Sequence, residues 1–422
     1  MFERPPRERE WLSWLYVVLW TVVIFLTIPF VRDFSNYVHR NWGRESFTYG
    51  VTVVIVLAAV GTVVFLLRRP QTRLINYACL LAVAGLLVYL TFGLGSGSPE
   101  EAVHYVQYGV LGVLIYRAFT HRIRDYSIYA AAAIVGTIVG MLDETVQWMT
   151  PRRYFGLNDI WLNFTAVALI QIGLATGIRP EMIRGWPGAA SLRRLCHLGA
   201  LAMAYLGLCF LNTPDRIDWY TERVPLLGFI KENRSVMVEF GYRHVDPDVG
   251  MFNSRLTTEE LIQTAEARAE DGAAILDQFR DRERYSEFLG IYTTTRDPFL
   301  HEARVHLFRR DIYVERGDAA EDEAKRRGLY TVAYWENRIL EKYFGPLLAA
   351  SSYVWPPELQ AKIDENALTE SHYLSGVSVE LITGVTQAQV VGFFIALVAV
   401  LLALGQYFGR RAGRQAATQA EQ

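Results

Sequence analysis

The sequence predicts an all-α polytopic membrane protein of about eight transmembrane helices, with a mainly helical extracytoplasmic domain between the seventh and the eighth. Three observations carry that prediction. Apolar runs close to the ~20 residues needed to cross a bilayer recur along the chain. Arginines gather in every second connecting segment, as the positive-inside rule expects. One long polar region separates the last apolar run from the others. The averages blur this pattern, because 422 residues with 51% hydrophobic and 20% charged side chains and a mean hydropathy of +0.14 describe a mixture.

The apolar runs fall at residues 11–30, 47–67, 74–94, 102–119, 126–148, 158–177, 195–211 and 386–408. Seven follow one another closely, and the eighth stands alone near the C-terminus. The first is long and follows a charged leader, so it reads as a retained helix rather than a cleaved signal peptide. Let the N-terminal Arg4, Arg7 and Arg9 be cytoplasmic and each run cross once. The inner segments then carry Arg68, Arg69 and Arg73, next Arg117, Arg122 and Arg124, and next Arg179, Arg184, Arg193 and Arg194. Arg410, Arg411 and Arg414 follow the last run on the same side. Both termini are expected to be cytoplasmic and region 212–384 extracytoplasmic.

Cys79, Cys196 and Cys209 all lie in apolar runs, so the outer region has no disulfide to report its compartment. A net charge of −2 gives no reason to expect nucleic acid as a partner. In the outer region Thr257 and Glu260 form a capping box, and Leu261, Ala265, Ala269, Leu276 and Phe279 follow at helical intervals. Pro298 opens a second helix over 299–313, a third covers 319–344, and Pro356–Pro357 precede another at Glu358. Val236, Val238, Phe240 and Tyr242 alternate as in a strand, which ends at the turn Asp246-Pro-Asp-Val-Gly250.

His301-Glu302-Ala-Arg-Val-His306 is close to a zinc-protease box but departs from its spacing. That box needs histidines at i, i+4 to share a helix face. At i, i+5 they stand about 140° apart, so the segment reads as the polar surface of an amphipathic helix. His244-Val-Asp246-Pro-Asp248 reads as a turn. No metal or cofactor is expected.

The apolar runs contain the most informative residues. Ionisable groups at the centre of a membrane helix cost about 2.5–3.5 kcal/mol each on insertion scales. In the fourth run His104, Gln107, Tyr108 and Leu111 share one helical face. Asp143, Glu144 and Gln147 occupy the last turns of the fifth, followed by Pro151, Arg152 and Arg153. Asp159 and Asn163, at i, i+4, open the sixth. Three consecutive helices therefore present polar groups at one depth, the outer end.

This pattern resembles the VanZ-like family of membrane proteins. That family has a His near the start of one span, then Asp-Glu-x-x-Gln and a Pro-x-Arg turn, then Asp-x-x-x-Asn opening the next span. His104; Asp143, Glu144 and Gln147; Pro151 and Arg153; and Asp159 and Asn163 match it, with Gly109, Gly112 and Gly140 in keeping. Gln107 departs from it, since many relatives are expected to carry an acid there. The resemblance covers residues 82–177, less than a quarter of the chain. It implies a link to the bacterial cell envelope and to resistance against the glycopeptide teicoplanin, and it implies no settled reaction. The expected organisation is then 1–73 for two N-terminal spans, 74–177 for the VanZ-like core and 178–211 for a cytoplasmic loop with the seventh span. Residues 212–384 form the outer domain and 385–422 the last span with a cytoplasmic tail.

Each residue also has a plainer use. His104 can hydrogen-bond within the bundle, Asp159 can cap its helix, and Glu144 can pair with Arg152 or Arg153 across the turn. A guanidinium in an outer loop nonetheless suits phosphate or carboxylate. The binding candidates are His104, Asp143, Glu144, Gln147, Arg152, Arg153, Asp159 and Asn163. Their expected partner is a membrane lipid or a lipid-linked envelope precursor or glycan. As an alternative the same cluster is catalytic, with Glu144 or Asp159 as general base and His104 as acid or base. A third reading, an ion or solute carrier, lacks visible inverted halves.

Overall fold

A computed structural model describes residues 8–95, 99–151, 153–230, 236–369 and 373–420. Helix dominates it, and a single two-stranded sheet is found among the described residues. Seven helices are long and apolar enough to cross a membrane, which is compatible with a multi-pass membrane protein. The chain divides into two compact units, Met1–Phe210 with Val391–Gln422 and Leu211–Val390.

The first unit is a helix bundle. Its elements are α1 (Glu10–Thr27), α2 (Val31–Trp42), α3 (Ser46–Leu67), α4 (Leu74–Gly95), α5 (Val103–Phe119), α6 (Ser127–Met149), α7 (Leu157–Ile172), α8 (Ala189–Leu211) and the C-terminal helix Gln387–Ala420. Seven of these meet the length and apolarity needed for crossing, against the eight expected. Besides α2, the helix that falls short is α5, one of the eight expected spans and only 17 residues long. It is nevertheless the centre of the bundle, with Tyr108, Leu111 and Ile115 wholly buried against residues such as Ala131, Ala132, Ala166 and Val167.

Small residues explain how α7 comes so close to α6 and α5. A Cβ at Gly136 would lie 2.8 Å from the methyl carbons of Val167, and one at Gly140 would lie 2.9 Å from Asn163 Cβ. On α5, Gly112 faces Val167 and Gln171 in the same way. Glycine at such positions lets helix backbones approach and gain van der Waals contact where no hydrophobic effect drives association. The far end of α7 widens into a π turn, Gly173–Ile178, and stops at Arg179, whose φ of 46° is left-handed. The carbonyls of Thr176 and Gly177 are taken by Asn76 Nδ2, both at 3.0 Å. A helix end inside a bundle needs such a donor.

Two features depart from the sequence reading. Between the first two spans, where a loop is expected, the chain forms α2. It buries Ser35 and Val38 while exposing Phe34, Tyr37 and Trp42. Its mixed composition hides it from a search for apolar runs, because an amphipathic helix is recognised by its faces rather than by its mean. The C-terminal helix, alone in sequence, packs on α8: a Cβ at Gly207 would touch Phe394 Cβ at 3.0 Å, and the rings of Phe210 and Phe394 are 5.5 Å apart.

The second unit is mainly helical. The capping box at Thr257 and Glu260 forms as expected, but the helix it starts breaks at Arg268 into Thr258–Ala267 and Ala269–Gln278. Arg268 reaches Asp271 and Asp297 at this break. Pro298 opens a helix that continues to Asp318, capped by Asp297. Glu323–Tyr343 and Pro357–Asn366 follow. The strand expected over 236–242 lies later, as β1 (Tyr242–Asp246) paired antiparallel with β2 (Gly250–Ser254) across the foreseen turn. Phe240 makes only one isolated bridge, to Ile382.

The polar-surface reading of His301, Glu302 and His306 is overturned. Glu302 and His306 are 1% and 0% exposed, because their helix is packed on several sides and its polar residues pair inward. Glu302 accepts from Ser254 Oγ at 2.5 Å and from the Arg255 backbone N–H at 2.9 Å. His306 Nδ1 meets Glu336 Oε2 at 2.6 Å, and Glu336 Oε1 accepts from Arg309 Nε, Tyr373 and Ser375. His301 turns elsewhere, to the Tyr292 carbonyl at 2.8 Å. Among the described residues no group of three or more His, Cys, Asp or Glu side chains could hold a metal ion.

Candidate functional site

The polar residues of α5, α6 and α7 meet at one end of the bundle. α5 enters there through the 3₁₀ turn Pro99–Ala102, which brings Glu100 beside His104. α6 ends there at Met149, where Thr150 turns to an extended conformation. α7 starts there after Gly156.

Two helices hold the histidine. His104 Nδ1 lies 2.9 Å from Asn163 Oδ1. An amide oxygen only accepts, so Nδ1 donates and Nε2 of the neutral ring is an acceptor. One turn along α5, Tyr108 donates to Asp143 Oδ2 at 2.9 Å, and its ring stacks on His104 with centroids 6.0 Å apart. On α6, Gln147 Nε2 donates to Glu144 Oε1 at 2.8 Å, and Gln147 Oε1 accepts from Arg153. Glu144 Oε2 accepts from the Gly156 N–H at 3.0 Å. Glu144, Asp143 and Asn163 are buried, at 0%, 1% and 0% exposure.

Gly156 is where the two helix ends converge. A Cβ there would lie 2.5 Å from Asp159 Oδ2 and 3.3 Å from Glu144 Oε2, so both carboxylates close on one small residue. With Arg153 the expected pair of Glu144 takes the form of a relay: Arg153 holds Gln147, and Gln147 holds Glu144. The relay satisfies both ends of the Gln147 amide without bringing the guanidinium onto the carboxylate. Asp159 is not the cap of α7 either. The capping position is Gly156, with no side-chain cap, and Asp159 lies in the first turn, where a negative charge is favoured by the helix dipole. Arg152 lies outside the described residues.

A cavity of about 490 Å³ opens beside this cluster. One wall is aliphatic and aromatic, from the end of α1, the start of α2 and Phe47 of α3. The other is polar, from Glu100, His104, Gln107, Asp143, Gln147 and Arg153. A smaller adjoining pocket of about 150 Å³ shares His104, Gln147 and Arg153 and adds Tyr154 and Asp159.

The structure thus brings His104, Asp143, Glu144, Gln147, Arg153, Asp159 and Asn163 into one neighbourhood. Sequence reasoning did not include Tyr108, Glu100 or Gly156 among the candidate site residues. Tyr108 carried a signal, being four residues from His104 on the same face. Glu100 precedes the span and Gly156 has no side chain, so neither stood out. Comparison with protein-family models, with curated proteins and with solved structures finds no match for this chain. The chemistry of the site therefore rests on its own geometry.

Proposed function

We propose that this chain is a VanZ-like protein of the bacterial cytoplasmic membrane that binds an anionic, lipid-linked envelope molecule at the site between α5, α6 and α7. The carrying observation is the two-sided cavity, apolar along α1–α3 and polar along α5 and α6. An amphiphile is divided in the same way, and binding sites of this size are mostly apolar with a few polar groups that fix orientation. Arg153 supplies the cation for a phosphate or carboxylate. His104 and Asp143 supply hydrogen bonds for the rest of the head group.

The arginine bias supports an orientation with both termini cytoplasmic, and with this site and residues 212–384 outside. Eight crossings follow if α5 is counted. Its 17 residues span about 26 Å at 1.5 Å each, and the 3₁₀ turn before it adds about 8 Å. Together they match the ~30 Å hydrocarbon core. A contribution to glycopeptide tolerance is the phenotype that the family resemblance implies.

Mass spectrometry of lipids co-purifying with the wild type and with Arg153→Gln tests the binding. An anionic lipid enriched on the wild type and lost from the variant is expected. Equal enrichment in both, or none in either, would sink the proposal. A Lys325→Cys variant, labelled on whole cells by a membrane-impermeant maleimide, tests the orientation.

A second reading, a membrane-embedded acid/base enzyme acting on such a lipid, draws on the two carboxylates closing on Gly156. Glu144 or Asp159 would take a proton, His104 would give or take one, and Arg153 would offset developing charge. A lipid that accumulates on Glu144→Gln but not on the wild type would favour this reading.

A further inference from the structure

The buried side-chain atoms on the polar wall of the cavity that lack a hydrogen-bond partner, among the described residues, are both acceptors. Asp143 Oδ2 is taken by Tyr108, but Asp143 Oδ1 is buried with no hydrogen-bond partner among the described residues. Glu100 Oε2 is in the same condition, with His39 Nε2 3.7 Å away. His104 spends its proton on Asn163, leaving an acceptor nitrogen. Gln147 has both ends of its amide engaged, with Glu144 and Arg153. Arg153 is the one cationic side chain on this wall, among the described residues, that can receive an anion.

We propose, resting on the binding reading above, that the head group this site takes is a phosphate flanked by its own hydrogen-bond donors, hydroxyl or ammonium, and that a bare phosphomonoester is disfavoured. A buried carboxylate oxygen without a donor carries its full desolvation cost, so a bound group that donates to it recovers more than an ordinary hydrogen bond. A phosphomonoester at neutral pH is mostly dianionic, so it brings mainly acceptors and adds like charge beside Asp143 and Glu100. A phosphodiester bearing a polyol, a sugar or an ethanolamine sets its anion on Arg153 and its donors on the two acids. The apolar wall along α1 and α2 takes the chain of the same molecule.

The test is native mass spectrometry of the full chain in detergent, titrated with three short-chain lipids of identical acyl length: phosphatidylglycerol, phosphatidylethanolamine and phosphatidic acid. At least one of the first two should bind about tenfold more tightly than phosphatidic acid, the size expected for one hydrogen bond to a charged group. Whichever of the two binds more tightly distinguishes hydroxyl from ammonium. Asp143→Asn can still accept from Tyr108 with one atom while presenting an NH₂ at the other, so it should narrow the preference without weakening phosphatidic acid. Glu100→Gln, nearer the surface, should narrow it in the same direction and serves if the first variant does not fold. Equal affinity for all three lipids in the wild type, or a preference unchanged in both variants, overturns the inference. Arg153→Gln separates the two levels. If it weakens all three lipids while the wild type does not discriminate, only this inference falls. If it alters none, the binding reading falls with it.

Discussion

Glu336→Gln removes a negative charge from a point with no solvent exposure in the 211–390 unit. In the wild type that carboxylate gathers His306, Arg309, Tyr373 and Ser375 at 2.6–2.8 Å. Burial alone pushes the carboxyl up, but the His306 charge and the hydrogen bonds from His306, Tyr373 and Ser375 outweigh it. They hold Glu336 below its ordinary range. Removing one partner of a buried pair costs about 3–5 kcal/mol. The lower end applies, because Arg309 is 27% exposed and water takes over part of its charge. About 3 kcal/mol corresponds to a fall of roughly 6–12 °C in a unit of this size. The assay is limited proteolysis of the full chain in detergent across a temperature ramp, following fragments of this unit. The pH dependence has a definite sign. A carboxyl depressed by folding stabilises above its unfolded pKa of about 4.3 and loses that contribution as pH falls through the folded value. Wild-type stability should therefore drop on acidification below about pH 4, and the variant should lack that part of the drop. A shift under about 2 °C at neutral pH, or an acid limb identical to the wild type, would refute the reasoning.

Other substitutions probe the bundle. Tyr108→Phe removes the donor to Asp143 Oδ2 and should cost about 1–3 kcal/mol, read as a lower melting temperature in detergent; an unchanged value would mean that the carboxylate does not depend on it. Gly136→Leu adds a side chain where a Cβ already lies 2.8 Å from Val167 and should abolish the monodisperse folded protein on gel filtration. Gly61→Ala, with nothing within 4 Å, should be silent. Gly156→Ala forces Asp159 and Glu144 apart and, on the binding reading, should abolish lipid retention while the protein stays folded; full retention would show that their approach is dispensable.

Much of the helical layout was legible because a helix long enough for a bilayer needs a long apolar run, and the bounds of α3 and α4 nearly coincide with those runs. α8 begins earlier than its run, at Ala189, since Arg193 and Arg194 interrupt the apolar pattern without interrupting the backbone. The capping box at Thr257 and the start at Pro298 were legible because local chemistry decides both. The break at Arg268 was not, since the apolar positions keep helical spacing through it. His306 misled for a related reason: a polar residue on a helix reads as solvent-facing until its partner, 30 residues away in Glu336, is known. In the bundle, the three-helix grouping of His104, Glu144 and Asp159 could be read from spacing and alternating direction. The relay through Gln147 and the crowding at Gly156 depend on how the chain leaves α6 and enters α7, which no periodicity encodes.

The glycine contacts of α7 have a kinetic consequence. With Gly136 and Gly140 pressed against Val167 and Asn163, the polar floor has almost no room to shift, because close-packed backbones resist displacement. On the binding reading, an occupant would come and go past the other wall, where α1 ends at Thr27 and α2 begins at Val31. The α1–α2 corner then has two parts to play, because Ile28, Phe30 and Val31 line the same cavity that they border. Changes to the floor would alter how long an occupant stays. Changes at the corner would alter both its passage and the hold on its apolar chain.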